Sequence, residues 1–150
     1  MGAVSYPDIK VIDFINASLV PIQILSDAKP YADDYKVMWT PLLIVLDQGG
    51  GEHLRSVGFL PPDELIPFLM LGMVKVYFDN DDLADALKFQ ERILAEYPES
   101  AAAPEALFLH GVTLYKTTKD VGKLKGVYEE IKKRYPASDW VKKASPYRLL

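Results

Sequence analysis

The residues that could carry out chemistry are few in this chain and far apart. Cysteine is absent, and the two histidines, His53 and His110, are 57 positions apart. Neither lies near a cysteine or in a Glu-x-x-His spacing, so the sequence predicts no metal site. We expect His53 on the surface of an edge strand, and His110, beside Gly111, in helix packing or capping. No cofactor is expected.

A glycine run and an acidic run are the other candidates for ligand binding. Gly49–Gly51 precedes a predicted strand and lacks the Lys-Ser/Thr of a phosphate-binding loop, so it predicts a hairpin turn. A calcium loop starting at Asp79 would need glycine and glutamate where Ala84 and Gln90 stand. Residues 79–82 therefore predict a loop with an N-cap for the next helix. These observations predict a protein that is not an enzyme.

Composition and charge narrow the classes of partner. The chain has 150 residues, 49% hydrophobic and 25% charged, which suits one domain or two small ones. Its net charge of −4 provides no basic field for nucleic acid or an anionic membrane. Residues 119–150 nevertheless hold nine Lys and Arg against four Asp and Glu, whereas residues 61–118 hold four against ten. The basic segment either meets an acidic partner, such as the acidic middle of a second copy, or is a solvated lysine face.

No segment of the sequence predicts export or membrane insertion. Met1 is not followed by the basic and apolar regions of a signal peptide, and no apolar run reaches the roughly 18 residues of a membrane helix. We therefore expect a cytoplasmic protein that does not bind membranes. The lack of cysteine is compatible with that compartment.

The first part of the chain alternates helical and strand patterns. Asp8 is predicted to cap a short helix, and Leu19–Leu25 is predicted to be a strand with Pro21 near its start. Asp27 and Pro30 are predicted to open a second short helix, because proline is tolerated in a first helical turn.

A second strand, its hairpin partner and a long helix follow. The continuously apolar run Leu42–Leu46 predicts a strand covered on both faces, as in a parallel or mixed sheet. Residues 52–58 are predicted to be its antiparallel hairpin partner at a sheet edge. Pro61 and Pro62, followed by acidic residues, are predicted to start the long helix.

The rest of the chain predicts only helices, arranged as a repeat. Tyr-Pro-x-Ser occurs twice, with Pro98 and Pro136 placed 38 positions apart, and Gly72 and Gly111 are 39 positions apart. Two landmarks with nearly one spacing indicate a repeated helix-turn-helix unit, slightly longer than the roughly 34 residues of a tetratricopeptide repeat. This half resembles a degenerate tetratricopeptide array.

The details of that register concern caps and close packing. Gly72 and Gly111 are expected to let paired helices approach closely. Ser100 and Ser138 are predicted N-caps for the helices that follow them. Residues 139–144 are predicted to form a short terminal capping helix.

The N-terminal half carries a second resemblance. Trp39–Pro41 stands directly before the apolar strand, Leu46–Gly49 reads as a turn, and Arg55-x-x-Gly58 leads into a helix. In this order, residues 8–72 are similar to the second half of a thioredoxin-like domain. The family's Cys-x-x-Cys motif and its preceding strands have no counterpart here. No redox residue can therefore be carried over, and thiol-disulfide exchange is not expected.

The resemblance implies a structure and a use for the proline turn. It implies a cis peptide bond between Thr40 and Pro41, with the Thr40 backbone beside a bound peptide that pairs with it as an added strand. Trp39, Thr40 and Pro41 are therefore the candidate peptide-binding residues.

The missing thioredoxin strand has a structural consequence. In the family's sheet it lies between the equivalents of residues 19–25 and 42–47, so its absence is expected to expose two apolar strand edges. Either these two strands close directly on each other, or a second chain fills the gap. A homodimer through the exposed sheet edge is one such arrangement.

Together these patterns predict an α/β plus all-α chain. Residues 1–72 are predicted to form a truncated thioredoxin-like unit with a partial sheet of about three strands. Residues 73–150 are predicted to form two tetratricopeptide-like hairpins with a capping helix, and helix 62–78 is shared.

The corresponding functional hypothesis is a non-catalytic module that binds a protein or peptide. One alternative is a fragment or late-start form of a thiol-disulfide oxidoreductase whose Cys-x-x-Cys lies upstream of Met1. Another is that the repeats alone bind partners and the α/β part is a dimerisation cap.

Overall fold

The computed structural model describes residues 1–150 and contains seven α-helices and one β-hairpin. The elements are α1 (Ile9–Ser18), α2 (Tyr31–Asp34), β1 (Leu42–Leu46), β2 (Glu52–Val57), α3 (Pro62–Asp79), α4 (Leu83–Glu96), α5 (Ala103–Thr118), α6 (Gly122–Arg134), α7 (Asp139–Ala144) and a closing 3-10 helix (Ser145–Leu149). None of the helices combines the length and apolarity needed to cross a bilayer.

The chain divides into two compact units. Unit 1 is Met1–Ile66 and unit 2 is Pro67–Leu150. The predicted boundary after residue 72 and this division both fall within α3.

Unit 1 begins with the predicted helix α1. The Asp8 side chain accepts hydrogen bonds from the backbone N–H groups of Lys10 and Val11, which confirms Asp8 as the N-cap. Val11 and Phe14 are the buried residues of this helix, because positions three apart share one helical face. Ser5, fully buried, donates a 2.5 Å hydrogen bond to the Leu60 carbonyl and so ties the start of the chain to the segment before α3.

The sheet consists of the β1–β2 hairpin alone. The two strands are antiparallel, with Leu43 opposite Ser56 and Val45 opposite Leu54, and the register shifts between Val45 and Leu46. The hairpin and its glycine turn are as predicted. The prediction that β1 belongs to a parallel or mixed sheet and is covered on both faces was wrong, since only Val45 is buried.

The predicted strand at Leu19–Leu25 is also wrong, so the sheet has two strands rather than about three. Residues 19–25 have no regular structure, and Val20 and Ile22 are 86% and 76% exposed. A strand is stable only when its backbone groups pair with a neighbour, and here the segment and β1 do not close on each other. The apolar composition of residues 19–25 predicts a strand but gives no information about whether a pairing strand is present.

Unit 2 is a succession of packed helices. α4 packs on α5, α5 on α6, and α6 on α7, and the predicted terminal helix at 139–144 is confirmed. The core residues around α6 include a fully buried Ile131 and an aromatic layer in which Phe108 lies 5.0 Å from Trp140 and 5.6 Å from Tyr147 between ring centroids. The predicted close helix approach is found at Gly111, where an added Cβ would lie 2.7 Å from the Val127 Cβ.

The predicted caps have mixed outcomes. The Ser138 side chain accepts from the Trp140 N–H at the start of α7, as predicted. Ser100 was predicted wrongly, because α5 begins three residues later and the Ser100 hydroxyl donates to the Tyr97 carbonyl instead. Asp82 stands at the predicted N-cap position of α4 but makes no capping hydrogen bond with its side chain.

One polar pair lies inside the helical core. The Gln90 side-chain amide donates to the Thr113 hydroxyl at 2.9 Å, and that hydroxyl donates to the Leu109 carbonyl at 2.8 Å. Both side chains are fully buried, and Gln90 Oε1 has no hydrogen-bond partner. A buried pair of this kind favours one register of α4 on α5, because any other register would leave more polar groups unpaired.

The close approach of α5 and α6 can be tested with two glycines. Gly111→Ala is expected to lower the free energy of unfolding by about 1–3 kcal/mol, because the new methyl group overlaps Val127. Gly126→Ala in α6 is the matched control, since nothing lies within 4 Å of its added Cβ. It is expected to raise stability by about 0.5–1 kcal/mol through helix propensity. Urea denaturation followed by circular dichroism measures both, and equal effects of the two substitutions would contradict the packing.

Candidate functional site

The three predicted peptide-binding residues lie between α2 and β1. The Thr40–Pro41 peptide bond is cis, as predicted, and all three side chains are exposed, with Trp39 74% exposed. The Pro41 carbonyl accepts a 2.8 Å hydrogen bond from the Gly58 N–H, which anchors the turn to the end of β2. These three consecutive residues therefore lie exposed directly before the start of β1.

An open cleft lies beside this turn. Its volume is about 280 Å³, and it is lined by Ser26, Val37, Met38, Trp39 and Thr40. No sequence motif predicted the first three of these as site residues. The feature that could have indicated Val37 and Met38 is the apolar run directly before the Thr-Pro turn. Met38 in that run is 81% exposed rather than buried. This volume lies just below the roughly 300–1,000 Å³ of small-molecule pockets, so the cleft is comparable with the space that one large side chain needs.

The outer edge of β1 presents unpaired backbone groups. Because Pro41 is hydrogen-bonded to Gly58, the residues bonded to β2 are the alternate ones, Leu43 and Val45. The N–H and C=O groups of Leu42 and Ile44 therefore point away from β2. No other strand pairs with them.

The outer edge of β2 differs in character. Its Arg55 guanidinium is paired with the Glu52 carboxylate and also donates to the Tyr35 carbonyl at 3.1 Å. Charged side chains on an edge strand disfavour pairing with another chain. β1, in contrast, contains only leucine, isoleucine and valine.

A second polar cluster fixes the hairpin turn. The Asp47 Oδ1 atom accepts from the N–H groups of Gly49 and Gly51, each at 2.8 Å, and its Oδ2 atom lies 3.0 Å from His53 Nε2. The His53 side chain is only 10% exposed, so its predicted surface position was wrong. The hydrogen bond from His53 and those from Gly51 and Gly49 hold the pKa of the Asp47 carboxyl below its ordinary value of 3.8. The contact between Asp47 and His53 could be recognised only once the register of the hairpin was known.

The remaining predicted candidates do not form a reactive site. His110, in unit 2, has Nε2 3.8 Å from Glu91 Oε1 on α4, and His53 lies in unit 1. Of the acidic run, Asp79 ends α3 and residues 80–82 form the α3–α4 connection, where Asp81 pairs with Lys116 at 3.0 Å. No group of three or more His, Cys, Asp or Glu side chains is arranged to hold a metal ion.

Comparison with models of protein families, with curated proteins and with solved structures found no match.

The Asp47 cluster makes the hairpin sensitive to acid. A carboxyl whose folded pKa lies below its unfolded value contributes stability above the unfolded pKa and loses it as the pH falls through the folded pKa. We expect the Gly49 and Gly51 amide resonances to titrate with a midpoint below 3.8 in an NMR pH series. His53→Ala is expected to move that midpoint upward, and Asp47→Asn is expected to abolish the transition. A midpoint at or above 3.8 in the unmodified protein would contradict the assignment.

Proposed function

We propose that this chain is a non-catalytic interaction module that binds an extended peptide along the outer edge of β1. The observation that carries the proposal is the row of outward-facing backbone groups at Leu42 and Ile44, which no strand satisfies. An extended peptide can pair with such an edge as an added strand, so that backbone hydrogen bonds supply affinity and side-chain pockets supply specificity.

The cleft beside the proline turn supplies the specificity element. Met38 and Trp39 are large apolar side chains that remain mostly exposed, and they line the cleft at the start of β1. Tryptophan is enriched among residues that dominate binding energy, because it buries a large area with few rotatable bonds. A peptide that runs along β1 is therefore expected to place an apolar side chain between these two residues.

We propose further that unit 1 corresponds to the second half of a thioredoxin-like domain. The order of α1, α2, the proline turn, the hairpin and α3 supports this reading. The outer edge of β1 would then correspond to one side of the family's peptide-binding site, without the cysteines that carry out thiol-disulfide exchange.

For unit 2 we propose a tetratricopeptide-like array. The two copies of the Tyr-Pro motif are in direct contact, because the Tyr135 hydroxyl donates to the Pro98 carbonyl at 2.9 Å. Contacts between neighbouring units at matching motifs are expected in a stacked repeat. Such arrays commonly bind proteins, so both units favour a protein or peptide partner over nucleic acid.

Peptide selection followed by calorimetry tests the proposed function. Dodecamer peptides from a phage-displayed library are selected on the full chain, and their dissociation constants are measured by isothermal titration. Ile44→Pro removes one outward-facing N–H while leaving the β1–β2 ladder intact, so binding is expected to weaken roughly five- to tenfold. Trp39→Ala is expected to weaken it by about tenfold or more through loss of the apolar contact.

Val57→Pro is the matched control for Ile44→Pro. Val57 lies directly opposite Leu42, and its N–H points from β2 toward the other edge of the hairpin. We expect its dissociation constant to stay within about twofold of the unmodified protein. Amide NMR spectra establish that each variant is folded. Equal binding by Ile44→Pro and the unmodified chain, or failure to select any peptide, would refute binding at this edge.

A further inference from the structure

The outer edge of β1 is complementary to itself. The strand Leu42–Leu46 carries no charge and no proline, so two copies of it can pair without placing like charges opposite each other. Edge strands that must stay single are usually protected by charged residues or proline. β1 lacks that protection along its whole length.

Backbone direction selects the register of such a pairing. The outward-facing residues of one strand must meet the outward-facing residues of the other. An antiparallel arrangement centred on Ile44 places Ile44 opposite Ile44 of the second copy, and Leu42 opposite Leu46. In this register Asp47 of one copy lies opposite Pro41 of the other, so the ends of the strands also bring no like charges together.

The other edge of the hairpin prevents further growth. The charged pair Glu52 and Arg55 lies on β2, and the guanidinium is also engaged with the Tyr35 carbonyl. Pairing through β1 alone uses the same surface on both copies and therefore closes at a two-fold symmetric dimer. Pairing through both edges would instead give an open chain of copies.

We propose that two copies of this chain pair antiparallel through β1 about Ile44, and that this dimer hides the edge used for peptide. The second half of this inference rests on the proposed function, and the first half does not. One set of backbone groups cannot pair with two strands at once, so dimerisation and peptide binding exclude each other. Self-association then regulates the site, because the fraction of open edges falls as the protein concentration rises.

Sedimentation velocity over a concentration series tests the dimer. The unmodified protein is expected to shift from monomer to dimer, with little dependence on salt because the paired strands are uncharged. Ile44→Pro removes the two hydrogen bonds about the symmetry axis and is expected to weaken dimerisation by about tenfold or more. Val57→Pro is expected to leave the dimerisation constant within about twofold.

Crosslinking tests the register. The chain contains no cysteine, so a single introduced cysteine reports one position. Ile44→Cys is expected to give crosslinked dimers with a short bis-maleimide, and Val57→Cys is expected to stay monomeric. A monomer at all concentrations, a dimer that withstands Ile44→Pro, or equal crosslinking at the two positions would overturn the pairing.

Competition with the selected dodecamer tests the exclusion. Adding peptide is expected to convert dimer to monomer, and the apparent peptide affinity is expected to fall as the total protein concentration rises. A peptide that binds the dimer without dissociating it would overturn the exclusion. A strictly monomeric protein that still binds peptide at the β1 edge would refute this inference and leave the proposed function standing. A β1 dimer for which no peptide is found would support the dimer and refute the proposed function.

Discussion

Pairing of β1 on one side only is the constraint on which unit 1 depends. A strand needs neighbours for its backbone groups, and here the hairpin supplies one neighbour and nothing supplies the other. For the same reason Leu19–Leu25, which has the composition of a strand, remains irregular and exposes its apolar side chains. The open edge of β1 and the irregular segment thus both lack a neighbouring strand.

Unit 2 differs from unit 1 in that each of its helices α4–α7 packs against a neighbouring helix. Its helices close their backbone hydrogen bonds internally, and successive helices bury a continuous core around residues such as Leu107 and Ile131. The glycine at 111 sets the distance between α5 and α6, while the buried Gln90–Thr113 pair limits how α4 and α5 can slide. The open edge of β1 thus belongs to unit 1, whose sheet has only two strands, whereas the helices of unit 2 pack on one another.

Sequence reasoning succeeded where local interactions decide the outcome. The Asp8 cap, the glycine turn before β2 and the start of the long helix at Pro62 are set by residues close in the chain. It failed where a distant partner decides. The predicted strand at 19–25 needs a neighbour that is absent, and the low exposure of the His53 side chain depends on how the folded hairpin places it. The unpaired groups at Ile44 could be located only once the β1–β2 register was known.

The chain contains two tryptophans, and they fall in different units and different surroundings. Trp39 is mostly in solvent, whereas Trp140 packs on Phe108 and has the Lys143 ammonium 3.8 Å from its ring centroid. Each unit therefore carries its own fluorophore, one with the red emission of a hydrated indole and one shielded beside a cation. Spectral changes on ligand addition and on unfolding can be assigned to a unit without any label, after a single tryptophan substitution.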